Sequence, residues 1–101
     1  MENFKPELVT KLIPETAKAF DNLITATFKD GALSFKTKEF IAIGVAVSMG
    51  CEDCMEHHIN IAKKLGATKE EIAEAMSVGF EMGIGRLYSP MVRSMTKNLN
   101  D

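Results

Sequence analysis

Apolar residues recur along this chain at the three- and four-residue spacing of a helix face, and no strand-length alternation of apolar and polar residues accompanies them. Pro6 and Pro14 each suit the first turn of a helix, where proline's missing N–H has no partner to lose. After Pro14, the residues Ala17, Phe20, Leu23, Ile24 and Phe28 fall at helical spacing, and Gly31 is expected to close that helix with a left-handed cap. Ser34 reads as the N-cap of a helix through Phe40, Ile41, Ile43, Val45 and Val47. Beyond Glu39 that helix is apolar on nearly every face, so it is expected to be buried all round. Val and Ile also suit a buried strand, but the length of the run and its lack of alternation favour helix.

A further helix fits Glu52 to Leu65, closed by Gly66, and Thr68-Lys69-Glu70-Glu71 reads as a capping box. The helix it opens should turn Ile72, Ala75, Met76, Gly79 and Phe80 inward. Gly83-Ile84-Gly85 then reads as a loop, with Arg86 and Tyr88 on a solvated turn beside it. Ser89-Pro90 would start a last short helix carrying Met91, Val92, Met95 and Leu99. With no linker, low-complexity tract or internal repeat, residues 1–101 are expected to form a single all-α domain, a compact helical bundle.

Composition narrows the function classes. The chain has 101 residues, 46% hydrophobic and 26% charged, enough to build a core without a disulfide scaffold. A formal net charge of -2 with no cluster of basic residues argues against nucleic acid as a partner. Phe40 to Gly50 is about half the length a membrane span needs, so no membrane role is expected either. Met1-Glu2-Asn3-Phe4-Lys5-Pro6 shows no basic region followed by an apolar stretch. No signal peptide is therefore read, and the expected compartment is a reducing cytoplasm in which thiols cycle.

The candidate chemistry lies in the two cysteines, Cys51-Glu52-Asp53-Cys54, followed by His57 and His58. At about 100° per residue, Cys51, Cys54 and His58 fall within about 60° of one another around a helix axis, whereas His57 points elsewhere. One stripe thus carries both sulfurs and an imidazole. The sulfurs occupy the first turn, where orphan N–H groups and the positive end of the macrodipole favour a thiolate, and His58 one turn on can take or return the proton.

Plainer readings compete with this one. The cysteines can be buried as small hydrophobes. A purely structural disulfide closing so short a loop would add only about 2 kcal/mol in chain-entropy terms, against about 4.7 for a hundred-residue loop. Zinc is the serious rival, because Cys51, Cys54 and His58 with Glu39 or His57 supply four ligands, yet no second cysteine pair ties a distant segment to them. The seven methionines suit core filling better than a metal box.

The arrangement of Glu39, eleven residues, Cys51-x-x-Cys54, three residues and His58 resembles the signature of alkylhydroperoxidase D-like proteins in the carboxymuconolactone decarboxylase family. The resemblance runs from about Leu33 to Pro90. It includes Lys36-Thr37-Lys38-Glu39, the apolar helix, Gly50-Cys51, Gly66-Ala67-Thr68-x-Glu70-Glu71-Ile72 and the glycines before Tyr88. It implies an all-helical, homo-oligomeric fold, commonly trimeric or hexameric. The activity it implies is thiol-dependent reduction of peroxides or of a partner's disulfide, with a protein or small-molecule thiol as reductant and no cofactor.

Carried over to this chain, the family mechanism makes Cys54 the nucleophile and Cys51 the resolving thiol, with His58 and Glu39 relaying the proton. General Cys-x-x-Cys physics instead favours Cys51 as the more acidic thiol, and both assignments stand at this point. The best-studied peroxidases of the family resemble Cys-x-His-Cys, whereas here Asp53 precedes the second cysteine and Glu52 precedes Asp53. These carboxylates favour the helix N-terminus but oppose a neighbouring thiolate. Glu39 lies about 18 Å from Cys51 along a straight helix, so it must meet the site through the returning helix, nearer His58 than Cys51. Two other classes remain beside the thiol oxidoreductase: a lactone decarboxylase like the family's namesake, whose reaction needs no cysteine pair, and a non-catalytic oligomer with a Cys/His metal site.

Overall fold

The computed structural model describes residues 6–99, and the residues on which the reading of the amino terminus rests, 1–5, lie outside them. Among the described residues there are five helices and no strand: α1 Pro6–Leu12, α2 Pro14–Phe28, α3 Phe35–Met49, α4 Glu52–Lys64 and α5 Lys69–Leu99. The chain divides into two compact units at the Phe35–Lys36 junction.

In the first unit, Pro14 sets the joint between α1 and α2. A residue preceding proline is pushed out of the helical region, and Ile13 accordingly sits at φ -135°, ψ 68°. Helix α2 ends differently from the glycine-cap expectation. Lys29 leaves it in an extended conformation, and Gly31 has no positive φ; its N–H donates to the Leu33 carbonyl instead. The turn is held by Asp30, whose carboxylate accepts the Phe35 N–H at 2.7 Å, and by edge-on packing of Phe28 and Phe35. With a side chain supplying the turn, no left-handed residue is required.

The second unit carries the core and the candidate site. Ile43 of α3, Ala62 of α4 and Ile72 of α5 are buried together, with Phe40, Ile59, Ala67, Ala75 and Met76 packed around them. Helices α3 and α5 meet backbone to backbone. A Cβ on Gly79 would collide with the Gly44 carbonyl and lie 2.8 Å from the Val47 Cβ, so only glycine allows the approach.

The two remaining inter-helix turns use glycine as expected of a C-cap. At the end of α4, Gly66 takes φ +86°, its N–H donates to Lys63 and that of Ala67 to Ala62, which is a Schellman motif. Thr68 and Glu71 then form the reciprocal capping box: the Thr68 N–H donates to the Glu71 carboxylate at 2.8 Å, and the Glu71 N–H to the Thr68 hydroxyl at 3.1 Å.

Three expectations fail in this unit. Helix α5 runs unbroken from Lys69 to Leu99, so Gly83-Ile84-Gly85 is no loop, Arg86 and Tyr88 are helical, and Ser89-Pro90 starts nothing. An interior glycine costs a helix only about 1 kcal/mol, and Pro90 removes one bond, to the Arg86 carbonyl, for about 3 kcal/mol. Helix on both sides outweighs these local losses. Phe80 is exposed rather than inward. Helix α3 buries one stripe, Glu39, Ile43 and Ala46, while Ile41, Val45 and Met49 stay exposed on the opposite side. No helix among the described residues is long and apolar enough to cross a membrane.

Candidate functional site

The site is built where α3 hands over to α4. Gly50 adopts φ +70°, a left-handed conformation that side chains resist, and it closes α3 with a second Schellman motif: Gly50 N–H to Val47 O at 3.0 Å, Cys51 N–H to Ala46 O at 2.9 Å. Cys51 has a second role. It is also the N-cap of α4, its extended backbone turning the chain and its Sγ accepting the Cys54 N–H at 3.2 Å. One residue thus satisfies one of the last carbonyls of one helix and a first N–H of the next. The Cys51 sulfur is thereby fixed at the positive end of α4.

Cys51 and Cys54 are joined in a disulfide with Cα atoms 5.3 Å apart. Cys51 is half-buried and Cys54 exposed. Glu52 and Asp53 fill the first turn of α4 and face solvent, where they favour the helix dipole. Four residues beyond Cys54, His58 sits one helical turn along the same face, a spacing that puts Cβ atoms about 5–6 Å apart.

Glu39 reaches this group through helix return. Its side chain is 1% exposed, and its Oε2 lies 2.6 Å from Nδ1 of His58, itself 19% exposed. In this contact the carboxylate oxygen is the acceptor and the ring Nδ1–H the donor. Burial of the carboxylate makes this contact strong, since little water competes for it. His57 is exposed and meets His58 edge-on, with ring centres 5.0 Å apart. Among the described residues no three His, Cys, Asp or Glu side chains converge as metal ligands would.

The four sequence candidates therefore meet as two coupled pairs, Cys51 with Cys54 and Glu39 with His58, joined through successive turns of α4. Two features went unread. The tie from Cys51 to Ala46 was signalled by Gly50 standing directly before the cysteine. A hollow of about 270 Å³ beside Cys51, lined by Ala46, Val47, Met55, Met76 and Phe80, has no local signal, because α5 brings two of its walls from more than twenty residues away.

Comparison with known proteins gives the same region its relatives. The model of the carboxymuconolactone decarboxylase family matches residues 14–85. An uncharacterized protein of Cupriavidus necator is 39% identical over 72 residues, which are 71% of this chain and 64% of that protein. The chain thus spans less than two thirds of that relative's length. A carboxymuconolactone decarboxylase family protein from Legionella pneumophila is 40% identical, covering 76% of this chain and 69% of its own, with a TM-score of 0.73. Another carboxymuconolactone decarboxylase family protein, from Thermotoga maritima, is 26% identical over 94% of this chain and 89% of its own, with a TM-score of 0.66. An involvement in antioxidative response has been suggested for it.

Proposed function

The chain belongs to the carboxymuconolactone decarboxylase family, and from that premise we propose that it is a thiol-dependent oxidoreductase that reduces peroxides or a partner's disulfide. The observation that carries this reading is the Cys51–Cys54 disulfide capping α4 one turn from a histidine held by a buried glutamate. In the reduced protein, a thiolate of the pair attacks the peroxide O–O bond, giving a sulfenic acid and an alcohol or water. The second thiolate displaces hydroxide from that sulfenic sulfur, water leaves, and the disulfide forms. His58, held by Glu39, moves the proton. A thiol donor returns the pair to the dithiol.

The suggested antioxidative role of the Thermotoga maritima protein is consistent with this chemistry. Assembly is part of the same proposal. Ile41, Val45 and Met49 of α3 and Val78 and Met82 of α5 are all exposed around an apolar groove of about 480 Å³, surface that a trimer or hexamer of this chain would cover. The test of function is peroxide consumption with a dithiol donor, measured for the protein and its Cys51→Ser and Cys54→Ser variants. Turnover by the protein and its loss in both variants supports the proposal; turnover surviving in both removes it.

A further inference from the structure

A second hollow, of about 290 Å³, lies beside the one at Cys51 and shares Val47, Gly50 and Phe80 with it. The two are neighbouring parts of one trough between α3 and α5. Their far walls differ in charge: Glu52 stands at the Cys51 end and Arg86 at the other. Between these ends the lining is mostly hydrocarbon, with Met55 and Met76 beside the sulfur and Ile84 and Leu87 beside the guanidinium.

The sequence of α5 accounts for this shape. Phe80, Gly83 and Arg86 follow at three-residue spacing along one side of the helix. A Cβ at Gly83 would already touch Ser48 of α3 at 3.7 Å, so a larger side chain would have to enter the space between the helices. Long helical side chains lean toward the N-terminus of their helix, which carries the Arg86 guanidinium back over Gly83. The residues one turn away from Arg86, namely Met82, Gly83, Ser89 and Pro90, include no carboxylate. Among the described residues Arg86 makes no hydrogen bond or ion pair. An uncommitted cation thus borders a largely apolar hollow.

Resting on the redox reading above, we infer that the trough binds an organic substrate with one carboxylate, held by Arg86, and an apolar chain that crosses Phe80 to bring the reacting group to the cysteine pair. One guanidinium, with no second cation lining either hollow, matches one negative charge. Arginine's planar fork takes a carboxylate through two parallel hydrogen bonds. Glu52 repels a carboxylate from the Cys51 end, which sets the direction of the chain. Phe80 and Arg86 are about 9 Å apart along the axis of α5, a span on the order of that of an eight-carbon chain.

The test has a binding arm and a reaction arm, both on the full chain oxidised to the disulfide and both at low ionic strength, where an exposed charge is least screened. Calorimetry with octanoate and with octanol gives the binding arm, which needs no redox chemistry. Arg86→Gln should weaken octanoate about tenfold, as loss of a charged hydrogen bond does, and leave octanol unchanged. Arg86→Lys should restore part of the loss, since it keeps the charge without the fork. In the reaction arm, ω-mercaptooctanoate should reduce the protein disulfide about tenfold faster than its methyl ester, and Arg86→Gln should abolish that preference. Octanoate that fails to bind, or binds equally to the protein and to Arg86→Gln, would overturn the inference. So would equal reduction rates for acid and ester, because the carboxylate site would then lie off the path to the sulfurs. Octanoate binding that depends on Arg86, in a protein whose disulfide neither thiol reduces, would retain the carboxylate site while removing the redox reading.

Discussion

Glu39 and His58 stand nineteen residues apart in the chain, on α3 and α4, yet the carboxylate oxygen of one lies 2.6 Å from Nδ1 of the other. The pair exists because Gly50 reverses the chain between them. Glu39 is 1% exposed, so its carboxyl group is withdrawn from water and the imidazole is its hydrogen-bond partner there. The contact therefore ties the orientation of the His58 ring to α3 as well as to its own helix.

His58→Ala should therefore have two separable effects. Loss of the partner of a buried carboxylate should destabilise the fold by about 3 kcal/mol, read by denaturant unfolding. The reaction of the thiols with oxidant should slow more near neutral pH than at alkaline pH, where hydroxide removes the proton unaided. Glu39→Gln, which keeps an acceptor for Nδ1–H, should act in the same direction but less. An equal loss of rate at every pH would assign His58 to packing alone.

Gly50 and Gly66 allow a controlled comparison, because both take positive φ and neither would place a Cβ within 4 Å of another group. Alanine at either position should cost roughly 1–2 kcal/mol from backbone strain alone. Only Gly50→Ala should also slow disulfide formation, since it disturbs the turn that holds Cys51 between two helices. Matching disulfide kinetics in the two variants would contradict the positioning role of that turn.

The capping box gives a pH dependence of known sign. The Thr68 N–H donated to Glu71 holds its carboxyl below the ordinary value of 4.5 against an opposing desolvation, with Lys36 and the Thr68 hydroxyl assisting. A lowered folded value means the stabilisation is complete above the unfolded value and is lost as pH falls through the folded one. Glu71→Gln should accordingly flatten the acid side of a melting-temperature profile below about pH 5. An unchanged acid slope would show that the box contributes no such linkage.

Assembly is tested by light scattering at micromolar concentration. With Ile41, Val45, Met49, Val78 and Met82 all exposed on the second unit, a mass several times that of the chain is expected. A monodisperse species near 11.1 kDa would sink the oligomer proposal.

What could be read from sequence was whatever rests on local chemistry. Thr68 and Glu71 cap each other across three residues, Pro14 opens its helix and Gly66 ends one, all without help from the rest of the chain. Gly31 was misjudged because Asp30 supplies the turn through its side chain. Pro90 was misjudged because its penalty is real but smaller than the gain of continuing α5. The faces of α3 show a different limit: an all-apolar run measures how much surface must be covered, and is silent on which molecule covers it. At the site, the residue types and spacing of Cys51, Cys54, His58 and Glu39 were legible. Gly50 before the cysteine signals the tie from Cys51 back to Ala46, whereas the Cys51 sulfur as acceptor of the Cys54 N–H has no such signal, because cysteine is not among the residue types that usually cap a helix.

Whether Cys51 and Cys54 are a working dithiol is decided by a single-turnover titration. The protein is reduced, freed of donor, and given one equivalent of hydroperoxide in one arm and of a small disulfide in the other. Free thiols are expected to fall from two to none per chain in at least one arm, with an intramolecular Cys51–Cys54 disulfide as the product. Two thiols remaining free in both arms, in a protein shown by circular dichroism to be folded, would contradict it.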